Sequence, residues 1–491
     1  MRAYVPLALA ALLAGCAVGP NYHRPHIEVP ATYRGAAAPS TAHARSFGDE
    51  QWSQVFDDPV LQRLIRAALA QNYDIRIAAT RVLQAQAELG ITHGAQFPML
   101  EAGGQLFTER NPKISSAFPA YSANAGEVDL SVIWHLDFWG KYRRESEAAR
   151  ADLLASRWGR RAVIASVVSQ VAAGYFQLRE LDAALAIAQR TLASRQDALK
   201  LTEVLAKHGS ASMLDVRQSQ ELVATAAETI PDLERRIAQQ ENALSTLLGK
   251  DPGPIARGRE LTEQPNPPTV PAGLPSQLLE RRPDVRAAEE QLIAANADIG
   301  VAKADLFPDI ALTGTGGFES YALNRLFLTQ SQMWNAAASI TQPVFEAGAL
   351  RSGLRLARAE EQQMLLTYEQ AIVTAFQQVS DALVAYQKDR KFREQQARLT
   401  AAARDADRLS KVLYRNGGAS YLQVLTSETN SFAAELDLAA AELNERLALV
   451  QLYDALGGGW RDTAAERSAN IGARPPGAAP LIHPAPSRSS R

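Results

Sequence analysis

The chain has 491 residues, more than one simple hydrophobic core usually serves, so several layers or repeats are expected. Its 51 basic and 53 acidic side chains leave a net charge of -2, which gives no electrostatic footprint for nucleic acid and excludes that partner class. Aromatic residues are 7% of the total, while alanine, leucine, glutamine, arginine and glutamate fill the long middle stretches, a coiled-coil composition rather than that of an enzyme.

At the N-terminus Arg2 supplies a positive start, Val5 to Leu13 form a short apolar run, and Leu13-Ala14-Gly15-Cys16 ends it with small residues before a cysteine. This pattern predicts a signal peptide over 1–15 that is cleaved to leave Cys16 as an acylated N-terminus. As the single cysteine, Cys16 excludes an internal disulfide and any cysteine-based metal cluster. Residues 16–50 then read as a lipidated, irregular segment rich in proline and alanine.

A first repeat is expected over 51–250. It opens with a helix from Val60 to about Gln96, closed by Phe97-Pro98. The period then changes to two. Val128, Leu130, Val132, Trp134 and Leu136 alternate with Asp129, Ser131, Ile133, His135 and Asp137, and Met99 to Thr108 is a weaker strand pattern. Trp134, Phe138, Trp139 and Tyr142 gather at the strand end, as an aromatic belt at a membrane interface would. A very long helix follows from Lys141 to Lys207, at about 1.5 Å per residue nearly 100 Å, with Leu178, Leu185, Leu192 and Leu199 seven residues apart. Gly209 ends it and Ser212 caps a returning helix, so His208, Gly209, Ser210, Ala211 and Ser212 form a tight hairpin tip.

Prolines crowd the stretch after Asp251, and a linker is expected over 251–281. A second repeat over 282–463 runs through the same elements: a helix from Asp284 to about Leu306, strands after Pro308 and Met333, a long helix from Leu350 to Tyr414, and a tip at Asn416, Gly417, Gly418, Ala419 and Ser420. Leu422, Leu436, Leu443 and Val450 share one heptad position in its returning helix. Residues 464–491 read as a disordered tail. The repeats align in one register: Lys207 to Val216 lie 208 positions before Arg415 to Val424, and the same offset relates Gly140 to Gly348 and Leu248-Gly249 to Leu456-Gly457.

After Cys16 no apolar stretch reaches the roughly 18 residues of a transmembrane helix, so any membrane crossing must use strands. Four strands of about ten residues, apolar on one side and polar on the other, suit a transmembrane barrel but cannot close one, since the smallest have about eight. Several chains must then share it. Nothing in the sequence calls for catalysis, a cofactor or a metal. His23 and His26 stand in an irregular segment, His135 falls on the polar strand face, and Gly314, Gly316 and Gly317 lie within a strand pattern rather than before a helix.

Several segments together resemble the outer-membrane factor family, in particular the lipoprotein channels serving resistance-nodulation-division pumps. They are Cys16 to Tyr22, Trp52 with Phe56-Asp57-Asp58-Pro59, Leu136 to Lys141, Leu274-Pro275-Ser276 with Arg281-Arg282-Pro283-Asp284, and Ala455 to Trp460. The resemblance covers nearly the whole mature chain. It implies a mainly helical fold with tandem duplication and a homotrimer whose twelve-stranded barrel lies in the outer membrane. A periplasmic helical barrel, narrowing at the hairpin tips, is implied below it. It further implies partnership with a periplasmic adaptor that docks on the tips, with an inner-membrane pump, and with outer-membrane lipid. Leu422 falls where such channels carry a hydrophobic constriction, and Gln423 and Thr426 where relatives often carry aspartate. Asp215, the first-copy counterpart of Gln423, either supplies charge near the tip or serves as a favoured first-turn residue of its helix. Leu422 is correspondingly either a gate ring or an ordinary heptad core position. The expected function is passive export of drugs or other small molecules. The alternatives are a channel for type I protein secretion and a periplasmic coiled-coil scaffold lipoprotein without lipid-facing strands.

Overall fold

The computed structural model describes residues 17–30, 32–35, 46–111, 121–264, 270 and 275–460. The expected signal peptide, Cys16 and the 464–491 tail lie outside the described residues.

Asp58 starts the first repeat by accepting the Val60 and Leu61 N–H groups at 2.8 and 3.3 Å, and Pro59 occupies the first helical position, where its missing N–H costs nothing. A short helix α1 (Trp52–Val55) precedes this cap. The single helix expected from Val60 to about Gln96 is instead two, α2 (Pro59–Gln71) and α3 (Tyr73–Gly94). Asn72 breaks them: its backbone leaves the helical region, its side chain accepts the Ile75 N–H at 3.1 Å, and its amide donates to the Leu247 carbonyl at 2.9 Å. The second copy repeats the break with proline, giving α6 (Pro275–Arg281) and α7 (Pro283–Ala304). The expected linker over 251–281 therefore ends before Pro275, which begins a helix.

The strands are β1 (Met99–Asn111), β2 (Tyr121–His135), β3 (Asp309–Ser320) and β4 (Gln332–Thr341), paired antiparallel in the order β1-β2-β3-β4. The helical hairpins are α4 (Lys141–Lys207) with α5 (Met213–Leu247), and α8 (Ala349–Arg415) with α9 (Tyr421–Ala455). Both outbound helices have 67 residues and both returning helices 35, so the duplication holds its register through every turn. Left-handed glycines recur in pairs at Gly140 and Gly348, Gly209 and Gly417, and Gly249 and Gly457.

Helix α3 packs on α4, α4 on α7, and α7 on α8. Because these four run into or out of the four strands in turn, the helical wall repeats the order of the sheet. The main core sits where the two copies meet. Val167, Val168, Val171, Ala172, Tyr175 and Leu178 of α4 are buried there with Leu61, Ile65, Leu292, Ile372 and Leu452. Each such aliphatic side chain contributes about 1.5–3 kcal/mol by leaving water. Phe47, Phe56, Phe176 and Tyr453 form a chain of tilted and edge-on ring contacts at its margin. Asp58 ties this core together. Its second oxygen accepts from Tyr175 Oη at 2.8 Å, Gln264 Nε2 at 2.9 Å and the Arg259 N–H at 3.1 Å, which fastens the linker to α4. Burial opposes the charge of Asp58, but these hydrogen bonds outweigh it and hold the carboxyl below its ordinary range.

Candidate functional site

The pairing register sorts the strand residues onto two faces. Leu100, Leu106, Val128, Leu130, Val132, Leu312, Phe318, Trp334 and Ile340 fall on one side. Leu106 and Trp334 there are 73% and 84% exposed among the described residues. Glu101, Gln105, Glu127, Asp129, Ser131, Thr313, Thr315, Glu319, Asn335 and Ser339 fall on the other side. Among the described residues β1 and β4 each pair along one edge. The sheet thus has a mainly apolar face, a mainly polar face and two edges whose backbone groups need partners. Strand β1 runs past Thr108 to Asn111, and β2 begins at Tyr121, before the alternation at Val128 becomes visible.

The four singled-out aromatics lie in one layer where strands become helices. Trp134 donates its indole N–H to the Gln96 carbonyl at 3.1 Å, and Trp139 donates to the Pro308 carbonyl at 2.8 Å while stacking on Phe307 at 4.6 Å. Phe138 meets Trp139 edge-on at 4.9 Å, and Tyr142 stands 6.4 Å from the His135 ring. These contacts hold the turns between α3 and β1 and between α7 and β3. His135 lies on the polar face, where its Nδ1 meets Asp309 Oδ2 at 2.9 Å.

The described N-terminal segment reaches the same layer. Val18 donates its N–H to the Trp139 carbonyl at 3.0 Å, and Asn21 accepts from Arg144 at 2.8 Å. A side chain at Gly19 would stand 2.5 Å from the Gly300 backbone, so only two glycines permit this crossing of α7. Farther along, Arg24 pairs with Glu289 at 3.0 Å and with Glu280.

At the far end, His208, Gly209, Ser210 and Ser212 are exposed with Ala211 half-buried, and Asn416, Gly417, Gly418 and Ser420 are exposed with Ala419 half-buried. Gly209 and Gly417 adopt φ of 72° and 73°, which closes both turns. Ser212 and Asp215 form a reciprocal capping box at 3.1 and 2.9 Å. In the second copy the Gln423 amide oxygen accepts the Ser420 N–H at 3.1 Å, the same service from an uncharged group.

Leu422, Gln423 and Thr426 come together on the wall of one groove of about 450 Å³, with Leu409 and Leu413 from α8. Asp215 lies outside it. Leu422 is 64% exposed in the single chain, so it is no core position of its own hairpin. Three features near the tip were not singled out from the sequence. Tyr421 shares a buried hydrogen bond with Ser219, joining the second hairpin to the first. Lys411 bridges Glu428 at 2.7 Å and Asp407 at 3.0 Å, and Arg195 donates to the Leu222 carbonyl at 2.8 Å while lying over Phe432. Their signal was divergence within the repeat, since Tyr421, Lys411 and Glu428 align with Met213, Glu203 and Gln220.

The family model described as outer membrane efflux protein matches twice, over residues 64–250 and 274–458, once on each copy. The chain is similar to the cation efflux system protein CusC of Escherichia coli, with 34% identity over 93% of this chain and 98% of that one. It is similar also to the solvent efflux pump outer membrane protein SrpC of Pseudomonas putida, with 36% identity over 93% and 98%. Among solved structures the outer-membrane channel OprN superposes with a TM-score of 0.85 at 30% identity, covering 91% of this chain and 100% of that one.

Proposed function

Because the chain belongs to the outer membrane efflux protein family, we propose that its open four-stranded sheet is one third of a barrel through which a tripartite efflux system releases small cargo. The chain is an outer-membrane efflux channel subunit with a helical duct and a strand-built membrane portion. The observation that carries the trimeric reading is the sheet: one mainly apolar face, one mainly polar face and two edges without a partner strand among the described residues. Three such sheets give twelve strands, enough to close a barrel. A coiled-coil scaffold would have no use for such a sheet.

An inner-membrane pump supplies the energy and a periplasmic adaptor docks on the tips, His208 to Ser212 and Asn416 to Ser420. Relatives named for cations and for solvents favour small cargo over secreted protein. The layer of Trp134, Phe138, Trp139 and Tyr142 marks the level of the periplasmic membrane interface, with Trp134 on the lipid side and Trp139 and Tyr142 toward the channel side. The Val18–Trp139 hydrogen bond supports acylation at Cys16, because it puts the neighbouring residues at that level. Leu422 forms the constriction, flanked by Gln423 and Thr426. Asp215 contributes through its helix cap rather than as a gate charge.

Conductance of the purified oligomer in a planar bilayer tests this reading, with discrete channels expected and silence from intact oligomer counting against it. Leu422→Ser should raise conductance about tenfold or more, whereas an unchanged leak would remove Leu422 from the constriction.

A further inference from the structure

We propose that a cavity at the foot of the strand wall is a station for singly charged aromatic cations, which the Asp309 carboxylate holds against the rings of His135, Tyr142 and Trp139. The inference rests on the channel reading, since it takes the polar face of the sheet as the wall of the path. The cavity holds about 470 Å³, within the roughly 300–1,000 Å³ usual for small-molecule sites. It is built where β2, β3, β4, α4, α7 and α8 converge. His135, Asp309 and Thr341 come from the polar faces of β2, β3 and β4, Lys141 and Tyr142 from the first turn of α4, and Leu350 from that of α8. The stacked Trp139 and Phe307 rings form part of its wall.

Charge in the cavity is unevenly answered. Lys141 pairs with Asp305 at 2.8 Å, and although burial disfavours its ammonium, that hydrogen bond and charge hold it protonated. Asp137 is answered by Arg143 at 3.0 Å and accepts the Tyr142 N–H at 3.1 Å. Asp309, half exposed, meets the imidazole Nδ1 of His135 at 2.9 Å, and among the described residues no lysine or arginine pairs with it. The Asp309 carboxylate is thus the acidic group of the cavity without a lysine or arginine partner, and it shares the lining with the aromatic rings. A flat cation satisfies both, by ion pairing on one side and ring contact on the other. One imidazole against one carboxylate falls short of the three or four protein ligands a metal ion asks for. An anion would meet the Asp309 carboxylate.

The test titrates ethidium, a planar monovalent aromatic cation, into the purified full-length oligomer and follows fluorescence anisotropy. Saturable binding of one ethidium per chain is expected. Asp309→Asn should weaken it about tenfold or more, the loss of one ion pair. Glu319→Gln, at the far end of the same face, should leave it unchanged, and fluorescein, an anion, should not bind. Tyr142→Leu should also weaken ethidium, which removes a ring while keeping every carboxylate. Equal affinity in wild type and Asp309→Asn overturns the station, as does equal loss in Glu319→Gln, which would mean diffuse attraction by an acidic wall. Bilayer conductance separates the two readings. A conducting channel that never binds ethidium sinks the station alone, and a silent one sinks the channel reading.

Discussion

Helices α4 and α8 have equal length and equivalent places in their repeats, yet they meet opposite surroundings. Where α4 buries Ala148, Ala165 and Ala184, the aligned positions of α8 are Leu356, Val373 and Phe392, which stand 60%, 67% and 58% exposed. Helix α4 lies inside the wall with a neighbour on each side, and alanine lets those neighbours approach closely. Helix α8 ends the wall, and its large apolar side chains stand exposed among the described residues. At the opposite end α3 likewise exposes Ile77, Leu83 and Ile91. The duplication supplied one scaffold twice, and position in the wall decided which copy kept small residues. Exposed apolar surface on this scale marks an interface, which the proposed trimer would fill with further copies of the chain.

Four substitutions separate the satisfied interior from the waiting edge. The largest effect is expected at Asp58, whose replacement by alanine strands donors from Tyr175, Gln264 and three backbone N–H groups in the core. Asp58→Ala should cost about 3 kcal/mol or more in denaturant melts, since each buried donor left without an acceptor costs about 1–3 kcal/mol. Because its folded pKa is depressed, the stability it confers is present above the ordinary carboxylate range and fades as pH falls through the lower folded value. Next, Ala184→Phe gives α4 the residue that α8 carries, and overpacking should cost about 1–3 kcal/mol at any protein concentration. The converse change, Phe392→Ala, should leave the chain's own fold nearly untouched and weaken assembly by about 1–2 kcal/mol per contact, read as a shift in the dilution at which the oligomer dissociates. If Phe392→Ala instead unfolds the chain, the edge assignment is wrong.

The smallest effect concerns three carboxylates on neighbouring helices. Burial, and then the charges of Asp152 on α4 and Glu360 on α8, push Asp298 on α7 up to about 6. The folded chain holds a proton there that the unfolded chain has already lost, so stability falls as pH rises from the ordinary carboxylate range to about 6, and the penalty is complete above it. Asp298→Asn should therefore raise Tm at pH 8, by an amount worth about 1 kcal/mol or less given the solvent near these groups, and change nothing at pH 4. Equal effects at both pH values would contradict the repulsion.

Much of this was legible in the sequence because repeat and period survive without contacts. The 208-residue offset fixed both tips, and the alternation from Val128 fixed the faces of β2. The Asn72 break was not legible, since asparagine is tolerated inside many helices and here breaks one because its amide also reaches the Leu247 carbonyl. The helix at Pro275 was hidden by a proline-rich neighbourhood, although proline at a first helical position is favourable. Asp215 read as a candidate gate charge because the comparison with Gln423 showed a difference in charge. Both side chains accept the N–H of the preceding capping serine, a role that either chemistry fills. The Tyr421–Ser219 bond and the cavity at Asp309 join residues some 200 and 170 positions apart, and no local pattern announces such pairs.

The central claim is that one chain carries an incomplete barrel which other copies complete, and the mass of the conducting particle tests it most directly. Native mass spectrometry of the protein fraction that forms channels should give three chains per particle, with no conductance from single chains. A conducting particle containing one chain would contradict the account.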